Sequence, residues 1–281
     1  MGVTLDRLDP STIKPGSVIV ITARRNSGKT VLLRDLMFHL RKSIDVTVAM
    51  TQSVSSAEML REHVPASCVY DQGLDLGVIE KLLAAQRASL VAGKRARNAR
   101  MLVLDDVSND KALRAKGNVL GDCWRNGRHA HVTIICTTQC ALDLGPDLRQ
   151  NTDVVFALKE PIISNRRKLF EAYFGQSEFP TFAACFARAT EAWGAMVLNN
   201  TLPESDIESV WSWYRAPPTP PKPFRCVADV YLKLERKHRE AAQAKAASKV
   251  HVAVPRGSSA PPPAAQPLSL QPPRVLVDAV G

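Results

Sequence analysis

The stretch that most constrains the fold runs from Val18 to Thr30, where an apolar segment leads into a loop of small and polar residues and then into a Lys-Thr pair. It matches the pattern G-x-x-x-x-G-K-[ST], with Ala23 at the first glycine position and Gly28 at the second. A loop of this kind turns successive backbone N–H groups toward a phosphate, and the following helix adds its positive amino end. The sequence therefore predicts a strand, a phosphate-binding loop and a helix, in that order.

The residues on either side support this phosphate-binding loop, called the P-loop below. Residues 17–22 are mostly β-branched and apolar, which is typical of a buried strand. Residues 29–42 predict a helix from the spacing of their apolar side chains. These apolar positions are Val31, Leu32, Leu36 and Leu40. Only Gly28 stands where the loop requires a backbone angle that other residues avoid, so Ala23 is an acceptable replacement for the first glycine.

The P-loop predicts a nucleoside triphosphate as the ligand. Lys29 can reach the β- and γ-phosphates, and Thr30 can place its hydroxyl on Mg²⁺. We expect ATP and Mg²⁺ as cofactors, because the chain has no N-K-x-D motif with which to read guanine. The residues predicted to bind ATP are Ala23, Arg24, Arg25, Asn26, Ser27, Gly28, Lys29 and Thr30.

A second segment has the pattern of a buried strand, and two acidic residues follow it directly. Met101 to Leu104 is continuously apolar and runs directly into Asp105 and Asp106. Such continuity suits a parallel strand buried on both faces, and acids at its carboxyl end emerge where α/β sheets bind ligands. Asp105 is the predicted magnesium ligand together with Thr30, and Asp106 is predicted to polarise the attacking water. The alternative is an ordinary strand end followed by a turn.

A third strand pattern covers residues 132–138 and ends at Gln139. We expect this strand to lie between the P-loop strand and the strand that ends at Asp105, as in P-loop NTPases of the additional-strand class. Gln139 would then contact the γ-phosphate or the water as a sensor, although a glutamine after a strand is often only a turn residue. A nucleotide kinase fits this pattern less well.

The predicted fold class is therefore α/β. We expect a three-layer P-loop NTPase of the RecA-like, additional-strand type, with a mostly parallel central sheet and a flexible C-terminal tail. Further local patterns predict an irregular segment over residues 1–16, a helix capped by Ser56, a helix over residues 111–126, a last strand over residues 193–198 and a short helix over residues 206–214. The aromatic residues of that last helix are expected to pack in the core rather than to stack on bases.

Charge and proline content change near residue 216. The chain of 281 residues has a formal net charge of +10, and the part from Ala216 onward contributes +6 of it together with 12 of the 19 prolines. We predict a P-loop ATPase domain over residues 1–215 and a basic, proline-rich tail over residues 216–281. Within the tail, residues 227–247 are predicted to form a helix and the remainder to be disordered. A basic tail suits a polyanion such as nucleic acid, or serves only solubility.

The cysteines and the hydropathy pattern argue against several classes of protein. None of the six cysteines forms a C-x-x-C pair, so we expect buried, reduced thiols rather than a disulfide framework or a zinc site. The first ten residues lack the apolar run of a signal peptide, and no stretch approaches the length of a membrane span. A soluble, intracellular protein without a transmembrane segment is the expectation.

The combined motifs resemble a known family. Asn126-Gly127-Arg128-His129, the strand that ends at Gln139, and the segment PDLRQNTD at residues 146–153 follow the two motifs above in a specific order. This order resembles the genome-packaging ATPases of large cytoplasmic DNA viruses, the poxvirus-type branch of the FtsK–HerA superfamily. The resemblance covers about residues 15–200. It implies an ATP-driven motor that translocates double-stranded viral DNA into a preformed capsid.

The same resemblance implies partners and a location. Proteins of this family act as homo-oligomeric rings with ATP sites between subunits, so double-stranded DNA and the capsid, portal or membrane-vertex proteins are the expected partners. The expected location is the host cell cytoplasm, the viral assembly site or the virion. Two alternatives remain, namely a cellular or plasmid DNA translocase of the FtsK/HerA type, and a nucleotide-switched DNA-binding module without motor activity.

The catalytic set predicted from these motifs is Lys29, Asp106, Gln139 and Arg149. Arg149 lies in the family-like segment, and it is the first candidate for an arginine finger that acts on the ATP site of a neighbouring subunit. Arg128 is the alternative finger. Either residue can instead be an ordinary surface or DNA-facing arginine.

Overall fold

The computed structural model describes residues 3–92, 99–203 and 206–250. The described residues form one sheet of nine strands. The strands are β1 (Asp6–Arg7), β2 (Val18–Thr22), β3 (Val46–Thr51), β4 (Val69–Tyr70), β5 (Arg100–Asp105), β6 (Val132–Thr138), β7 (Val154–Leu158), β8 (Ala195–Asn199) and β9 (Trp211–Tyr214). Their order across the sheet is β1-β9-β8-β7-β2-β6-β5-β3-β4.

The sheet is parallel apart from one strand. β8 runs antiparallel to both of its neighbours, β7 and β9, and every other pair in the described sheet is parallel. β2, β5 and β6 are buried along their whole length, as expected for strands covered on both faces. β6 separates the P-loop strand β2 from β5, so the predicted additional strand is confirmed.

Helices cover both faces of the sheet and give three layers. They are α1 (Lys29–Leu40), α2 (Val54–His63), α3 (Leu76–Val91), α4 (Val119–Asn126), α5 (Pro146–Gln150), α6 (Ile163–Tyr173), α7 (Phe179–Ala189), α8 (Ile207–Val210) and α9 (Asp229–Val250). α1 and α2 pack on one face, and α3 to α7 pack on the other. The predicted three-layer α/β fold with a mostly parallel central sheet is confirmed.

Two predicted helix starts are wrong, because polar side chains cap the helices elsewhere. Asn118 caps α4 by accepting a hydrogen bond from the Gly121 N–H at 2.8 Å, so the predicted helix over residues 111–126 begins only at Val119. Gly117 before it has φ +72°, which ends any preceding helix. α2 is capped by Ser53 rather than by Ser56, whose own N–H is the donor to the Ser53 hydroxyl at 3.4 Å.

The end of the sheet also differs from the prediction. The predicted helix over residues 206–214 stops at Val210, and residues 211–214 form strand β9 instead. The aromatic side chains gain burial there, since Trp211 is fully buried between β8 and α7, and pairing with β8 fixes the extended backbone. The segment over residues 1–16 contains the short edge strand β1, and helix α7 was not predicted.

The chain beyond the predicted domain boundary stays packed against the α1 and α2 face through Ala228, and α9 adds a contact in which Glu235 Oε1 accepts from the Ser67 N–H at 3.3 Å. The Phe224 ring stacks on His63 with the ring centres 4.1 Å apart, and Cys226 is fully buried. The Thr47 hydroxyl donates to the Cys226 carbonyl at 2.7 Å. The predicted helix of the tail corresponds to α9, whereas residues 251–281 lie outside the described residues. The division of the chain near residue 216 stays a prediction.

We predict that Phe224 contributes to the stability of the α/β domain. Phe224→Ala removes a buried ring that contacts His63 and Phe38, so it should lower the free energy of unfolding by about 3 kcal/mol. Urea denaturation of the full chain measures this change. Val230→Ala, at an exposed position just beyond the packed segment, is the control and should stay within about 0.5 kcal/mol of wild type. Equal stability of both variants would contradict the packing described here.

Candidate nucleotide site

The P-loop has the backbone geometry of a phosphate cradle. It leaves β2 through Ala23, whose N–H donates to the Thr138 carbonyl at 3.0 Å, and the Ser27 hydroxyl donates to the Arg24 carbonyl at 2.6 Å. Gly28 has φ +96°, a conformation that side chains disfavour, and it immediately precedes α1. Ala23 does not adopt a positive φ. The loop therefore requires a glycine at the second position but not at the first.

Asp105 is a fully buried carboxylate at the carboxyl end of β5. The Thr137 hydroxyl donates to Asp105 Oδ1 at 2.5 Å, and Lys29 Nζ lies 3.8 Å from the same oxygen. Asp105 Oδ2 is also buried and has no hydrogen-bond partner within the described part of the chain. A buried charge needs a compensating partner, so this second oxygen is a ready ligand for a cation.

The residues present fit a magnesium ion. No group of three or more His, Cys, Asp or Glu side chains able to hold a metal occurs among the described residues. Mg²⁺ commonly uses only one or two carboxylates and takes its remaining ligands from substrate phosphates and water. Asp105 offers the carboxylate, and the exposed Thr30 offers a hydroxyl in the first turn of α1.

Asp106 and Gln139 are in direct contact. Gln139 Nε2 donates to Asp106 Oδ1 at 2.9 Å, which joins the residue after β5 to the residue after β6. Asp106 has φ +56°, an unusual backbone angle, and its N–H donates to the Thr137 hydroxyl at 3.2 Å. The Thr137 hydroxyl therefore contacts both acidic residues, because it donates to the Asp105 carboxylate and accepts from the Asp106 N–H.

Asp143 orients the loop that carries Gln139. Its Oδ2 accepts hydrogen bonds from the N–H groups of Gln139 and Cys140 at 2.9 and 2.8 Å. Thr137 and Asp143 were both missed in the sequence. Thr137 lies opposite Asp105 because Leu104 pairs with Cys136, and the sequence alone does not give this strand register. Asp143 leaves no sequence signal either, because its contact depends on a turn.

The buried cysteines are not candidates for a catalytic nucleophile. All six cysteines are free thiols, and five of them are buried. Burial raises the pKa of the Cys136 thiol, which lies on β6 beside Asp105, so this thiol stays protonated. The prediction of buried thiols rather than disulfides agrees with this arrangement.

The two candidate finger arginines do not join the cluster. Arg149, on α5, is half-buried, and its Nη1 donates to the Leu144 carbonyl at 2.6 Å. Arg128 forms an ion pair with Asp153 at 2.9 Å, and the other oxygen of Asp153 accepts from the Val18 N–H at the start of β2. Since the P-loop follows the far end of β2, about 13 Å of strand separates Arg128 from it.

The structure thus brings five predicted residues together at the carboxyl edge of the sheet, namely Lys29, Thr30, Asp105, Asp106 and Gln139. A P-loop before α1, two acids after β5 and a polar residue after the intervening strand define the P-loop NTPase fold of the additional-strand type. No described helix has the length and apolar composition needed to span a bilayer.

The chain is similar in sequence to proteins of several viruses. No protein-family model matches the chain. The chain is 29% identical over 220 residues to uncharacterized protein L437 of Acanthamoeba polyphaga mimivirus, covering 74% of this chain and 73% of that protein. It is 27% identical over 211 residues to uncharacterized protein 088R of Invertebrate iridescent virus 3, covering 75% of this chain and 78% of that protein.

Solved structures identify the fold. The genome packaging NTPase B204 from Sulfolobus turreted icosahedral virus 2, in complex with sulfate, superposes with a TM-score of 0.52 at 16% identity over 73% of this chain and 98% of that one. The DNA-packaging ATPase B204 from Sulfolobus Turreted Icosahedral Virus superposes with a TM-score of 0.50 at 18% identity over 67% and 95%. The predicted resemblance to viral genome-packaging ATPases is therefore confirmed at the level of the fold.

Proposed function

We propose that this protein is a Mg²⁺-dependent ATPase that translocates double-stranded viral DNA into a preformed capsid. The observation that carries the ATPase part is the contact between the P-loop lysine and the buried Asp105, with Asp106 and Gln139 joined beside them. The fold shared with B204 supports the packaging part, since B204 is a genome-packaging NTPase.

In the proposed reaction, the P-loop N–H groups and Lys29 bind the phosphates of ATP. Phosphoryl transfer depends mostly on positioning and on neutralisation of charge. Mg²⁺, held by Thr30 and Asp105, supplies part of that neutralisation when it is bound. Asp106 orients the attacking water and accepts its proton, and Gln139 fixes the carboxylate of Asp106 through the hydrogen bond between them.

Exposed basic side chains on α9 support DNA as the partner. Lys233, Arg236, Lys237 and Arg239 are all exposed in the segment after residue 228. Lysine and arginine contacts to phosphates supply sequence-independent affinity for DNA, which is what a packaging motor requires. Lys222, Arg225 and Lys245 of the predicted tail are exposed as well.

We predict that Lys29→Ala abolishes ATP hydrolysis, because it removes both the phosphate contact and the counter-ion of Asp105. Asp106→Asn should keep ATP binding and lower turnover at least about 100-fold, because an amide cannot accept the proton of the attacking water. Glu80→Gln, at an exposed carboxylate on α3, is the control and should hydrolyse ATP as wild type does. Phosphate release with and without double-stranded DNA is the measurement, and DNA should accelerate the wild type. Unchanged turnover in both site variants would rule out the assignment.

A second proposal concerns Arg149, which we infer acts in a neighbouring subunit. An arginine that stabilises the transition state from outside its own subunit raises turnover by about 10³- to 10⁵-fold. Within its own chain Arg149 is hydrogen-bonded to Leu144, and no hydrogen bond or ion pair links it to the P-loop or to Asp106 among the described residues.

We predict that Arg149→Ala and Asp106→Asn are each inactive alone but recover activity when mixed. A mixed interface can join an intact Asp106 in one subunit to an intact Arg149 in the next. The double variant, assayed alone, is the control and should stay inactive. If the single variants do not complement each other although mixed oligomers form, Arg149 does not act between subunits, and Arg128 is the next residue to test.

A further inference from the structure

The turn between α7 and β8 lies beside the P-loop. Ala195 begins β8 and pairs with Leu158, the last residue of β7, so the turn stands at the same edge of the sheet as the P-loop. It contains Trp193, whose residue surface is 69% exposed. The other three tryptophans are buried or half-buried. The turn therefore places an exposed indole next to a phosphate-binding loop.

The turn holds Trp193 in an unfavourable backbone conformation. Ala192 and Trp193 have φ of +46° and +68°, in the left-handed region that residues with side chains seldom occupy in succession. The conformation is held by the Glu191 carbonyl, which accepts from the Gly194 N–H at 2.9 Å and from Arg215 Nη2 at 3.2 Å. Backbone strain of this kind concentrates at sites that bind ligands.

Trp193 borders a hollow that opens directly beside the start of α1. The hollow has a volume of about 340 Å³, within the range of small-molecule sites. Its lining is largely apolar, and its surface includes Gly28, Val31, Leu32, Trp193, Tyr214 and Pro218. A Cβ atom placed on Gly28 would lie 3.7 Å from Trp193 Cε3, so the indole closely approaches the P-loop backbone.

The position of the hollow relative to the acids suggests its occupant. Asp105 and Asp106 follow β5, on one side of β2, whereas the hollow lies on the other side, toward β7 and β8. A triphosphate whose terminal phosphate points toward the acids would carry its nucleoside away from them, past Val31 in the first turn of α1. The base of that nucleotide would then enter the apolar hollow.

We infer that this hollow binds the base of the nucleotide and that the Trp193 indole stacks on it. The inference deepens the proposed function and rests on nucleotide binding by the P-loop. Stacking on an aromatic ring tolerates different bases, because every base has a π-face. Arg215 is the charged side chain of the hollow, so the base is held mainly by stacking and by apolar contact.

Binding of two ligands to the full chain in the presence of Mg²⁺ tests the inference. ATP carries the base, whereas inorganic tripolyphosphate carries only the phosphates. Trp193→Ala should weaken ATP binding about 5- to 100-fold and leave tripolyphosphate binding unchanged. Trp193→Phe keeps an aromatic face and should retain most of the ATP affinity. Lys29→Ala, in contrast, should weaken the binding of both ligands.

Tryptophan fluorescence provides a second readout that does not depend on the alanine variant being folded. ATP should quench the emission of the wild type, Trp193→Phe should lose the quenching, and Trp213→Phe should keep it. ATP binding by Trp193→Ala at wild-type affinity would overturn the inference. Loss of binding of both ligands in Trp193→Ala would also overturn the inference, because Trp193 would then support the P-loop and not the base. If the wild type binds neither ligand, the proposed function fails as well.

Discussion

The structure depends on the buried carboxylate of Asp105. This side chain is fully buried, and removal of a carboxylate from water costs several kcal/mol unless partners compensate for it. The Thr137 hydroxyl on β6 donates a hydrogen bond to Asp105 Oδ1 at 2.5 Å. Lys29 Nζ, at the start of α1, lies 3.8 Å from the same oxygen. One charge therefore holds β5, β6 and the P-loop helix in a single arrangement. The same charge leaves a second buried oxygen for a cation.

A second set of contacts joins the loops at the carboxyl edge of the sheet. Gln139 contacts Asp106, and Asp143 holds the backbone of Gln139. Arg114, which precedes α4, lies 3.5 Å from Asp143. The Gly145 N–H also donates to the Leu113 carbonyl at 3.0 Å, so the loop after β5 and the loop after β6 are connected at three points.

The central strands and the P-loop were predictable because their signals are local. An apolar run, a glycine with a required backbone angle and acids at a strand end lie close together in the sequence. Thr137 and Asp143 were not predictable in the same way, since their partners are set by strand register and by a turn. Strand β9 was missed for a related reason, because pairing with β8 and burial of Trp211 decide its conformation. Arg128 lies at the amino end of the strands because it stands between α4 and the start of β6, and there it pairs with Asp153.

We propose that ATP hydrolysis moves this protein along double-stranded DNA. Displacement of a third strand annealed to one end of a linear duplex measures such movement directly. We predict that the wild type displaces the strand only with ATP and Mg²⁺, and that Asp106→Asn does not displace it although it binds ATP. Hydrolysis of ATP by the wild type without any displacement, under conditions in which the protein binds the duplex, would contradict the proposed translocation.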